Sequence, residues 1–81
     1  MENPGSSLKD LYEDWIDDDL AEIKELNAEN KVYQELREQR QDDWEIVEIS
    51  REILFLHGQF IKRLKERIDD TKTAIQKLSR I

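Results

Sequence analysis

The chain has 81 residues, 41% of them charged and 37% hydrophobic, and its twenty acids against thirteen Lys and Arg leave a net charge of −7. That length allows one small domain, whose core is marginal without a metal, a disulfide or a partner. With no cysteine, neither a disulfide framework nor a thiolate metal site is open to it, and partner chains are the remaining support. No apolar run approaches the ~18 residues of a membrane span. The opening Met-Glu-Asn-Pro-Gly-Ser-Ser lacks the basic and apolar regions of a signal peptide, so a cytoplasmic or intracellular location and no membrane partner are expected.

Gly5 and Gly58 are the only glycines and Pro4 the only proline. A phosphate-cradling loop and the turns of β-hairpins both need more, so the expected class is all-α. Residues 1–7 read as a flexible N-terminal tail and 8–81 as a single helical-hairpin domain. Ser7 with Asp10 fits a capping pattern, in which the hydroxyl accepts from an early backbone N–H and the acid favours the positive helix end. A helix over 8–39 follows from Leu8, Leu11, Tyr12, Trp15, Ile16, Leu20, Ile23, Leu26, Val32, Tyr33 and Leu36, spaced mostly by three and four. Residues 37–43 contain no apolar member and place a turn near 40–42. Asp42, three residues before Glu45, suggests a second capping box, with the next helix spanning 43–80.

That second helix carries a regular heptad. Val47, Leu54, Ile61, Ile68 and Ile75 occupy position a, and Ser50, His57, Leu64, Thr71 and Leu78 position d. Aliphatic residues at every a favour a coiled-coil seam. Beside it, Ile46, Ile49, Ile53, Leu56 and Phe60 widen the apolar face beyond what one neighbouring helix requires.

Charge relates the two halves. Residues 1–45 hold fifteen acids and five bases, a net of −10, and residues 46–81 hold five acids and eight bases, a net of +3. An antiparallel hairpin pairs residues whose numbers sum to about 82. Asp17, Asp18 and Asp19 then come level with Lys62, Arg63, Lys65 and Arg67, and Leu26 meets Leu56, Ile23 meets Phe60 and Trp15 meets Ile68. The alternative, one unbroken helix of about 110 Å at ~1.5 Å per residue, would put Asp19, Glu22, Glu29, Arg40 and Asp43 into the seam. An exchange of arms between two chains satisfies the same contacts as the hairpin.

Two helices packed only on each other leave the face around 46–60 open, which a four-helix bundle of two hairpins would cover. A homodimer is therefore expected, with a tetramer or a heteromeric bundle as alternatives. The residues assigned to the oligomer interface are Val47, Leu54, His57, Ile61, Leu64, Ile68, Ile75 and Leu78. His57 has three readings: a packed core-edge histidine, a pH-responsive core residue, or one half of a two-fold metal pair that would lack the further ligands zinc requires.

No constellation organises catalysis. Asp17, Asp18 and Asp19 project ~100° apart on a helix and cannot converge on one ion, so catalytic, metal and cofactor sites are not expected. The bases from Lys62 to Arg80 are interleaved with Glu66, Asp69 and Asp70, and a negative chain opposes phosphate binding, so nucleic acid is not the expected partner. Tyr12, Trp15, Asp14, Asp17 and Asp18 form the candidate surface for an unidentified protein partner. The expected function is non-enzymatic: an oligomerising helical adaptor, scaffold or assembly factor. The alternative is an acidic regulator that binds a nucleic-acid-binding protein by charge mimicry.

Overall fold

A computed structural model describes residues 4–80, with side chains from residue 7 onward. It is an all-α hairpin of two helices, α1 (Pro4–Gln39, 36 residues) and α2 (Trp44–Leu78, 35 residues), packed side by side. Helix α1 begins earlier than the capping pattern at Ser7 implied. Pro4 stands at its first position, where a missing N–H costs nothing and the fixed φ already suits a helix. Residues 4–7 of the expected tail are thus helical, while residues 1–3 lie outside the described residues.

The turn is short and needs no left-handed residue, since no described residue has positive φ. Arg40 N–H donates to Leu36 O at 3.0 Å and Asp43 N–H to Arg40 O at 3.0 Å, tightening the end of α1. Asp43, extended at φ −94° and ψ 95°, reverses the chain and caps α2, its carboxylate accepting a long bond from Ile46 N–H at 3.4 Å. The cap is therefore Asp43, one residue beyond the expected Asp42, because only an extended residue aims its side chain back at the first free N–H groups. At the other end Ser79 donates its N–H and its hydroxyl to Ile75 O, each at 3.0 Å.

The seam follows the heptad. All ten a and d residues of α2, from Val47 to Leu78, are buried or half-buried. They face Tyr12, Ile16, Asp19, Ile23, Leu26, Asn30 and Tyr33 of α1, which recur in alternating steps of four and three. The core proper is small: Ile23, Leu64 and Ile68 are buried, with Ile16, Leu26 and Ile61 packed on them. Each such side chain contributes about 1.5–3 kcal/mol when fully buried.

The register differs from the expected sum of 82. Asp19 pairs with Arg67 and Asn30 with His57, giving sums of 86 and 87. Side chains lean toward the N-terminus of their own helix. In an antiparallel pair the two leans are opposed, so the residues that meet lie further from the turn on α2 than the backbone midpoint implies. Leu56, Phe60 and Trp15 fall to the side of the seam positions on their helices and remain 56%, 44% and 47% exposed instead of packing between the helices.

Candidate functional site

Two polar clusters punctuate the seam. Asp19 is nearly fully covered, whereas Arg67 reaches over from the flank of α2 with its side chain 65% exposed. The contact is bidentate: Arg67 Nε–H donates to Asp19 Oδ2 at 2.9 Å and Nη2–H to Oδ1. These hydrogen bonds hold the Asp19 carboxyl below its ordinary range; burial opposes the shift and the guanidinium charge reinforces it. The same bonds and charge, with a weaker pull from Glu22, keep Arg67 cationic. Nearer the turn, His57 Nδ1–H donates to Asn30 Oδ1 at 2.8 Å, and Nε2 lies 3.9 Å from the Glu29 carboxylate. The Tyr33 ring meets the imidazole edge-on at 6.1 Å. His57 thus has oxygen acceptors near both ring nitrogens, from residues of α1. Asn30 was not singled out in the sequence, although its place in the α1 stripe between Leu26 and Tyr33 marks it as a seam position.

The two flanks of the seam are chemically unlike. A groove of about 350 Å³ lined by Trp15, Asp18, Asp19, Arg67 and Thr71 shows that Trp15 and Asp18 share one flank with Arg67. Steps of seven and eleven from these residues carry the same flank along the hairpin. On α2 it runs through Arg63, Phe60, Leu56, Ile53, Ile49 and Ile46; on α1 through Leu11, Glu22, Glu25, Glu29, Val32 and Leu36. Val32, Ile49, Leu56 and Phe60 are 61%, 57%, 56% and 44% exposed. The turn-proximal half of this flank is therefore an open apolar face, followed by a charged belt and then by Trp15 and Leu11. The opposite flank carries Glu13, Asp17, Lys24, Glu48, Lys62 and Lys65, with Leu20, Trp44 and Phe55 as separated apolar members.

The residues singled out in the sequence take the following places in the hairpin. Val47, Leu54, His57, Ile61, Leu64, Ile68, Ile75 and Leu78 all lie in the seam between α1 and α2 of one chain. Tyr12 also turns into the seam and packs against Trp15, the ring centroids 5.0 Å apart and the planes tilted by 48°. Asp14, Asp17 and Asp18 are exposed on different sides of α1. Among the described residues, only Asp19 of the expected acidic triplet forms an ion pair with α2. Its neighbours point away from the seam, as a 100° step requires. No group of three His, Cys, Asp or Glu side chains among the described residues is arranged to hold a metal ion, and no described helix is long and apolar enough to cross a membrane.

Comparison with protein-family models, curated proteins and solved structures returns no match for the chain.

Proposed function

We propose that the protein is a non-enzymatic, self-associating helical-bundle protein of coiled-coil character that mediates protein–protein interaction as an adaptor, scaffold or assembly factor. The observation that carries this reading is the open apolar flank. It agrees with the shape: the radius of gyration is 18.4 Å and the extents are 63 × 17 × 12 Å, against a radius of about 12 Å for a compact domain of this length. The chain exposes 6750 Å², whereas a folded monomer of its 9.8 kDa exposes about 5,200 Å². The excess is of the order that a stable protein interface removes. A four-helix bundle of two hairpins covers the flank on both chains, and α1 keeps its outward acids for a further partner.

The reading is tested by light scattering and by thermal melts at several concentrations. The expected mass is twice that of one chain, with a melting temperature that rises with concentration. Phe60→Glu should lower both. A mass of one chain at every concentration, with a concentration-independent melt, refutes it.

The charge-mimicry reading draws on one observation: Asp10, Glu13, Asp14, Asp17 and Asp18 are all exposed, and none forms an ion pair with α2 among the described residues. Reversing Asp14 and Asp17 to Lys separates the two readings. Under mimicry, binding to a basic partner is lost while the melt and the mass are unchanged; under assembly alone, there is no such binding to lose.

A further inference from the structure

The open flank has an order along its length that says how a second copy covers it. On α1, from the turn outward, it reads apolar at Leu36 and Val32, acidic at Glu29, Glu25, Glu22 and Asp18, then apolar at Trp15 and Leu11. On α2 it reads apolar from Ile46 to Phe60 and basic at Arg63 and Arg67, and Asp70 and Ala74 follow further out. The acids of α1 and the bases of α2 stand at the same height, since register partners sum to about 86.

We infer that the occupant of this flank is a second copy of the chain, docked turn to turn, with the two-fold axis parallel to the hairpin. This rests on the self-association proposed above and specifies its geometry. Under that symmetry α1 of one copy lies over α2 of the other at equal height, and neighbouring helices all remain antiparallel. Leu36 and Val32 then cover the Ile49–Leu56 region of the partner. Glu22 and Glu25 face the partner's Arg67 and Arg63, and Trp15 and Leu11 lie over the partner's Asp70 and Ala74. Apolar meets apolar over most of the turn-proximal half and acid meets base in the charged belt, while Glu29 within the apolar half and the level pair Asp18 and Asp70 beyond the belt add no attraction.

The opposite docking, with turns pointing apart, performs worse on the same surface. Centred on the apolar half, it pairs that half with its own copy. It leaves Glu22, Glu25, Trp15 and Leu11 beyond the partner's turn, covered by nothing. Centred on the middle of the rod, it lays Phe60 and Leu56 over the partner's charged belt. Electrostatic complementarity of this kind selects orientation more than it adds affinity.

Glu25 and Arg63 are both exposed and take part in none of the described intrachain ion pairs, so their charges can be exchanged without touching the seam. Glu25→Arg and Arg63→Glu should each weaken self-association about tenfold or more, because two symmetry-related attractions become repulsions. An equimolar mixture of the two variants should recover wild-type affinity as a heterodimer, since each supplies the charge that the other lacks. A spin label at Gln76→Cys reads the orientation independently. Turn-to-turn docking places the two labels within about 40 Å, given helix spacings of ~8–10 Å; docking with turns apart, centred on the apolar half, places them about 70 Å apart at ~1.5 Å per residue. A dimer with the long distance and no rescue on mixing overturns the geometry while leaving self-association standing. A single-chain mass overturns both.

Discussion

Asp19 offers the most direct test of how the hairpin holds its register. Its side chain is 3% exposed and accepts both hydrogen bonds from Arg67 across 48 residues of sequence. Hydrogen bonds to charged groups contribute about 1.5–3 kcal/mol each. Two effects reduce that here: the guanidinium is largely in water and regains hydration when released, and burying the carboxylate carries its own cost. We therefore expect Asp19→Asn to destabilise the fold by about 1–2 kcal/mol. With an unfolding entropy of ~2.1 cal/mol/K per residue, that is a fall of about 6–12 °C in melting temperature. The acid limb provides a second readout. The folded carboxyl titrates below its ordinary value of 3.8, so its stabilisation is fully present above the unfolded value and is lost as pH falls through the folded one. The difference between wild-type and Asp19→Asn melts should be constant from pH 7 to about 5 and shrink below about 4. Asp19→Leu should recover most of the loss at neutral pH, because apolar packing substitutes well for a buried ion pair. Superimposable wild-type and Asp19→Asn melts, at neutral pH and in acid, would refute the reasoning.

Two further predictions concern the helices themselves. Gly58 lies within α2 at non-positive φ with nothing within 4 Å of the position a Cβ would take, so Gly58→Ala should stabilise the fold by about 0.5–1 kcal/mol in a chemical or thermal melt. A loss instead would mean that something approaches α2 closely at that point. Leu64→Ala removes a large part of a three-residue core and should cost about 2–4 kcal/mol, while Phe55→Ala, 65% exposed on the other flank, should change stability by less than about 0.5 kcal/mol. Equal effects from these two would place the core elsewhere.

The seam was legible because burial along a helix is periodic. The heptad from Val47 to Leu78 named ten residues that line the seam, all buried or half-buried, and the polar run before Asp43 located the turn. Local chemistry decides both: spacing selects a face, and a stretch with no apolar residue has nothing to bury. The register was not legible, because it depends on how side chains lean once two helices run in opposite directions. A shift of about one turn changed the neighbours of every residue. Asp19, whose charge counted against one continuous helix, sits in the seam, and the charge complement that set Asp17–Asp19 level with Lys62–Arg67 is realised as this one pair, since Arg67 alone reaches over from the flank. The sequence alone determined that α2 has more apolar surface than one partner can cover. Only the tertiary structure decided that the contiguous part of that surplus lies on one flank beside the charged belt, because a shared flank is a property of two helices in register and of neither helix by itself.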